Sequence, residues 1–355
     1  MTMQISKYAY SAAVIGIIAA LAGAQAAHAE DSMTITGYGG AAQESQRKAF
    51  FEPFSKAEGV KILEEEWSGE TAKLRGMVET GNVTWDVVNV ETGHAVQGCA
   101  EGWLEKIDYG PLGDKASFQP GAALECGVGI TAYGTVIAYD ASKFPNGGPQ
   151  TLADFWDVEK FPGARSLRRT PWSTLEMALL ADGVAREDLY TVLETPEGVD
   201  RAFRKLDEIK PHVKVWWSAG AQPPQLLADG EVVMTTAYNG RIYNAVQESK
   251  KDFRIVWDGA ALDWDVWVIP KGTKHPDLAK KFLEFALRPE NQAEQTKYIS
   301  YGPSRIEAGK LVDPAMTPNL PTSEENMKTA FSVSPEFWAD HGEELTERFN
   351  TWIAQ

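Results

Sequence analysis

Short runs of β-branched and aromatic residues recur along the chain at 33–37, 60–63, 86–90, 131–139, 232–238 and 265–269. Each is bounded by Gly, Pro or Asp, which predicts strands. Helical periodicity separates them. Leu278, Phe282 and Phe285 recur at i, i+4 and i+7 behind Pro276, with Pro289 just beyond. Leu74, Met77 and Val78 mark a second helix closed by Gly81. A proline in the first turn and a glycine or proline after the last is how helices start and stop.

This alternation predicts an α/β protein with a largely parallel sheet. A length of 355 residues exceeds what one compact core usually serves and suits two domains. Pro and Gly gather at 144–148 and 222–224, which read as surface loops rather than a linker. Two domains without a linker imply that the chain crosses between them on hinge strands. No repeat of solenoid period is present.

The first thirty residues address the chain. Lys7 is the sole charged side chain before Glu30, and 12–24 is an unbroken small and apolar run followed by Ala27-His28-Ala29. The run is shorter than the roughly 20 residues that span a bilayer, and small-x-small is what a signal peptidase requires. The reading is a signal peptide over 1–29, cleaved after Ala29, and a periplasmic protein; an N-terminal membrane anchor is the competing reading. Export permits a disulfide between the two cysteines, Cys99 and Cys126, as against two buried free thiols.

Fifty acidic side chains against 34 basic give a net charge of −16. Such a surface repels nucleic acid and anionic lipid and on its own favours a cationic ligand. The stretch Gly37-Tyr38-Gly39-Gly40-Ala41-Ala42 fits a relaxed dinucleotide fingerprint, with Glu64, Glu65 and Glu66 slightly beyond the spacing of its acid. No metal-ligand spacing, nucleophile elbow or phosphate loop occurs in the sequence, so neither a metal nor another cofactor nor catalysis is expected. The aromatics Tyr38, Trp67, Trp172, Trp216, Trp217, Tyr238, Trp264 and Tyr301 sit near predicted strand or helix ends. Ligands of open α/β sheets bind at strand carboxyl ends, so these rings suggest a cleft for an alkyl chain or a cation.

Further stretches carry a resemblance. Thr151-Leu152-Ala153-Asp154-Phe155-Trp156-Asp157 running to Phe161-Pro162-Gly163, then Leu227-Ala228-Asp229-Gly230-Glu231-Val232, Asp265-Val266-Trp267-Val268-Ile269-Pro270, the helix 275–289 and Tyr301-Gly302-Pro303-Ser304 follow one another in order. Together they resemble the periplasmic spermidine/putrescine-binding proteins of ABC importers, over about 33–310. The resemblance implies a two-lobed periplasmic-binding-protein fold whose hinge strands let the lobes close on a ligand and dock on an inner-membrane permease. It places lobe 1 at 30–137, lobe 2 at 138–264, a return to lobe 1 at 265–305, and C-terminal helices at 306–355 packed on lobe 2. A monomer that binds no nucleic acid is expected.

One position departs from that pattern. The family's aromatic-x-Gly-Asp stretch supplies an acid for one ammonium of a polyamine; here it reads Tyr238-Asn239-Gly240-Arg241. A guanidinium repels an ammonium and grips a carboxylate with two hydrogen bonds. The other acid matches at Asp265, after Trp264, where an ammonium meets charge and ring. A clamp of each sign selects a zwitterion with an aliphatic spacer, of which gamma-aminobutyrate (GABA) is the simplest, and the resemblance extends to the family's GABA-binding subset. Arg168 and Arg169 rival Arg241 for the carboxylate. Positional candidates are Tyr38, Gly39, Glu91, Thr92, Trp172, Trp216, Tyr238 and Tyr301, with Ser218 and Gln222 as neutral hydrogen-bonding groups. The alternatives are a polyamine binder in which an acid such as Glu91 occupies Arg241, and a secreted enzyme on the same scaffold.

Overall fold

The computed structural model describes residues 32–355; the leader assigned to 1–29 lies outside them. Ten strands form one sheet: β1 Ser32–Gly37, β2 Lys61–Glu66, β3 Val87–Glu91, β4 Val128–Asp140, β5 Arg165–Arg168, β6 Val213–Trp217, β7 Met234–Tyr238, β8 Phe253–Val268, β9 Gly302–Pro303 and β10 Phe331–Ser332. The helices that position the site are α1 Gly40–Gln46, α2 Thr71–Glu79, α3 Thr92–Ala100, α4 Thr174–Ala181, α5 Pro196–Ile209, α6 Asn239–Ser249, α7 Pro276–Ala286 and α8 Pro335–Ala354.

The main path of the sheet runs β2-β1-β3-β8-β4-β7-β5-β6. Its outer pairs are parallel, as the strand–helix alternation predicts. Its centre is not. β8 pairs antiparallel with both β3 and β4, and β4 does so with β7. The sheet is therefore mixed rather than largely parallel, because two long strands run against their neighbours. They also join the halves. β4 holds 13 residues and β8 holds 16, paired from Val128↔Trp267 to Asp140↔Phe253 with residues 257–260 bulging opposite Val136. One end of this pair lies beside β3 and the other beside β7, making it the hinge.

Each half has its own core. Met33, Ile35, Phe50, Phe54, Trp267 and Phe282 gather in one. Leu167, Leu175, Phe203, Trp338, Phe349 and Trp352 gather in the other, so α8 packs on the half that carries β5 and β6. Cys99 and Cys126 are disulfide-bonded, tying α3 to the loop before β4. Among the described residues no helix is long and apolar enough to cross a membrane.

The pattern missed β5 and β6. In β5 the obstacle is Arg165, which is fully buried. Its guanidinium donates to the carbonyls of Phe155 (3.3 Å), Gly163 (2.6 Å) and Phe161 (2.5 Å). Local backbone satisfies a charge that a hydropathy pattern counts as exposed.

Candidate ligand-binding site

The strand ends converge between the halves. From one half come Tyr38 after β1 and Glu91 at the end of β3; from the other come Arg168 ending β5, Trp217 ending β6, Tyr238 ending β7, and Arg241 in the first turn of α6. The hinge supplies Tyr133 from β4 with Asp263 and Asp265 from β8. Asp265 stands opposite Glu91 on one side and Thr131 on the other.

Two polar contacts join the halves at this charged centre. Arg168 Nη1 lies 2.8 Å from Glu91 Oε1, an ion pair whose N–H is poorly aimed for a hydrogen bond. Arg241 Nη2 donates to the Tyr38 carbonyl at 3.2 Å. Arg241 is only 4% exposed, and among the described residues it ion-pairs with no carboxylate. Its Nε has no partner, and neither do the Tyr38 hydroxyl and the Trp217 indole N–H. The Tyr238 ring carries both cations, with Arg168 at 5.5 Å and Arg241 at 5.8 Å, and meets Tyr133 and Trp217 edge-on at 5.3 and 5.5 Å. Tyr301 completes the wall beside Arg241.

The buried carboxyls differ in state. Burial is the largest influence on Glu91 and would raise it, but the Arg168 guanidinium, His94 and the Tyr133 hydroxyl together outweigh burial and hold that carboxyl below its ordinary range. Asp265 has no such partner. Burial, reinforced by the neighbouring Glu91, pushes it up to about 7, and Arg241 recovers only part of the shift. Asp263 is pushed well above its ordinary value by burial, although it accepts from Thr92 Oγ1 (2.6 Å) and the Trp264 amide (2.7 Å). Burial also keeps the Tyr38 hydroxyl protonated, with Glu91 and Asp265 adding to the effect. Glu91 and Arg168 offset one another and burial favours the neutral form of Asp263, so the groups left open are the Arg241 guanidinium and the Asp265 carboxyl.

The glycines after β1 have a steric reason. Gly39 and Gly40 both lie at positive φ, 63° and 57°, and a Cβ on Gly40 would come 2.6 Å from Arg241 Nη1. The dinucleotide-like stretch is thus a strand-to-helix turn cut close so that an arginine from the opposite half reaches it.

Several predicted residues lie elsewhere. Trp264 alternates to the opposite face of β8 from Asp265 and lies against Gly121, so ring and charge do not combine. Trp216 packs on Phe349 and Trp352, away from the cleft, and its neighbour Trp217 takes that place. Ser218 and Gln222 are exposed, and Gln222 Oε1 accepts from the amides of Ser218 and Ala219, capping its own turn. Arg169 is exposed at the rim of an adjoining cavity of about 1210 Å3, whose walls include Glu91, His94, Trp172 and Trp338. Trp172 lines that cavity rather than the charged centre. Thr92 meets Asp263 but not the two open charges. Tyr133 and Asp263 join the site without a motif to mark them, although two-residue spacing in a strand puts Asp263 on the face of Asp265.

Comparison with known proteins agrees with this architecture. A Pseudomonas aeruginosa gamma-aminobutyric acid-binding protein is 48% identical over 336 residues, spanning 94% of this chain and 95% of that protein. The spermidine/putrescine-binding periplasmic protein of Escherichia coli is 23% identical over 82% of this chain and 83% of its own. Among solved structures, a GABA receptor superposes with a TM-score of 0.81 at 35% identity, covering 92% of this chain and 98% of that one. The A. tumefaciens binding protein MotA in complex with glucopine reaches 0.86 at 34% identity, covering 91% and 99%. Residues 49–322 match the bacterial extracellular solute-binding proteins, and with two lobes, a two-stranded hinge and a charged cleft between them, the chain belongs to that family.

Proposed function

We propose that this chain captures GABA in the periplasm by closing its lobes and delivers it to an ABC permease. The observation that carries the reading is the charge left open in the cleft. Glu91 and Arg168 neutralise each other, while among the described residues Arg241 and Asp265 are both buried without an ion-pair partner. A guanidinium and a carboxyl buried in this way are costly unless a ligand supplies the counter-charges. A zwitterion supplies both. Arg241 takes its carboxylate, Asp265 its ammonium, and the Tyr38, Tyr238 and Tyr301 rings flank its methylenes. The 48% identical relative named for gamma-aminobutyric acid supports the same ligand.

A polyamine is the second reading, favoured by three buried carboxyls, Glu91, Asp263 and Asp265, within one cleft. It requires an acid to occupy Arg241, and the acid suited to that role, Glu91, is taken by Arg168. Closure is a shift between open and closed populations stabilised by contacts from both lobes. A signal peptide cleaved after Ala29 and a monomer in solution complete the proposal; a binding protein of this kind needs no catalytic group. Isothermal calorimetry with GABA, putrescine, spermidine and short α-amino acids tests it. GABA should give the tightest binding, and tight putrescine binding with no heat from GABA would refute the zwitterion.

A further inference from the structure

Gly93 is the second residue of α3, a position where helix propensity favours almost any other residue. Its environment explains the exception. A Cβ added there would fall 2.5 Å from Cη2 and 3.1 Å from Cζ3 of Trp172, and 3.1 Å from Cβ of Trp338. The two tryptophans belong to the opposite half. They stack with ring centroids 4.9 Å apart and planes 25° from parallel, and both are almost wholly buried. The Trp338 indole donates to Glu176 Oε1 at 2.7 Å, which fixes the ring to α4. The pair is therefore one rigid block carried by the second half, and it lands on a flat spot of the first.

Polar contacts ring this seat. Arg75 and Gln97 of the first half approach Glu343 of α8 at 3.3 and 3.4 Å. Like the Arg168–Glu91 and Arg241–Tyr38 contacts, they exist only while the halves are together. We infer that Gly93 is the seat on which the Trp172–Trp338 block comes to rest at closure, and so a positioning residue for ligand capture. It stands apart from the Arg241–Asp265 pair, yet it sets how far the halves approach and hence how tightly a ligand is held. This rests on the reading that the cleft closes on a small solute.

The test compares the wild type with Gly93→Ala, Gly93→Val, Trp172→Phe and the Gly93→Ala/Trp172→Phe double variant. Each is titrated calorimetrically with GABA and with putrescine, and each is unfolded in urea without ligand. An intruding methyl in a packed contact should weaken the dissociation constant by about tenfold or more for alanine, and further for valine. The ligand-free urea midpoints of Gly93→Ala and Gly93→Val should not fall below the wild-type value, so any loss of affinity in them is not a loss of fold. Phenylalanine removes the part of the indole that the methyl strikes, so the double variant should bind more tightly than Gly93→Ala alone. Unchanged affinity in the alanine and valine variants overturns the inference, as does a double variant whose losses simply add. Should valine prevent folding, the alanine variant and the double variant decide. A wild type that binds putrescine and not GABA overturns the ligand assignment instead, and the same variants then decide the role of Gly93 with putrescine.

Discussion

Arg241 reaches across the cleft to the main chain of the opposite half, its Nη2 donating to the Tyr38 carbonyl at 3.2 Å while its Nε stays sealed and unpartnered. A guanidinium held by one neutral oxygen keeps the rest of its fork for a carboxylate. Arg241→Ala should weaken GABA by about 2–3 kcal/mol, roughly 30- to 150-fold, the scale of a truncated buried charge pair. Arg241→Lys should recover only part, because an ammonium keeps the charge and loses the fork. Calorimetry on both variants checks this; wild-type affinity in Arg241→Ala would mean that the side chain serves the lobe contact alone.

Asp265 makes binding depend on pH. Its carboxyl, pushed up to about 7 by burial and Glu91, pairs with an ammonium only when ionised. A bound ammonium lowers that value, so binding between pH 6 and 7 should release a proton. Below pH 7 the dissociation constant should rise by up to about tenfold per pH unit, the slope of one linked proton. Titrations in buffers of different ionisation enthalpy measure the proton count. Asp265→Asn should bind weakly at every pH and with a flat profile; a wild-type profile flat from pH 5 to 8 would put the ammonium elsewhere.

The Glu91–Arg168 pair separates two roles for Arg168. If it closes the cleft by neutralising Glu91, Arg168→Met strands a buried carboxylate and should weaken GABA by about tenfold to a hundredfold. Glu91→Gln in the same chain then removes the stranded charge and should restore part of the loss, a coupling that pairs in direct contact show. If Arg168 instead grips the ligand carboxylate, the double variant should be no better than Arg168→Met. Dissociation constants of the wild type and three variants close this cycle.

The chain announces its strand–helix alternation more clearly than its hinge, since of β8 only the last residues read as strand and 253–264 do not. β1, β3 and β7 are legible because a β-branched run ends at a polar turn. Arg241 and Asp265 stand out only through the family resemblance, one as the exchange of an acid for an arginine and the other as the matching acid. Trp216 and Trp217 show what is not: neighbours on a strand face opposite ways, and nothing in their local sequence says which one meets the cleft. A one-residue change of register exchanges them. Trp264 fails for the same reason, since alternation that brings Asp263 and Asp265 together sends the intervening ring away. β5 and β6 escape because tertiary packing, not pattern, buries Arg165 and the tryptophans beside it.

Glu176 gives the fold its own pH dependence, separate from the ligand. Its carboxyl is fully buried on α4 and accepts from the Trp338 indole at 2.7 Å and the Tyr190 hydroxyl at 3.0 Å through one oxygen, while the other has no partner. Burial pushes it up to about 7, and the donors around it recover only part of that shift. A carboxyl raised in the native state binds its proton there while the unfolded chain has already released it. Stability should therefore fall as pH rises from about 4.5 to 7, with a contribution approaching about 1.4 kcal/mol per pH unit, and level off above 7. Glu176→Gln keeps an acceptor for Trp338 and cannot ionise. Urea unfolding of the ligand-free proteins should then give a stability difference, variant minus wild type, that grows over that interval and is constant beyond it. A difference independent of pH would mean that Glu176 ionises in the folded protein as it does in the unfolded chain.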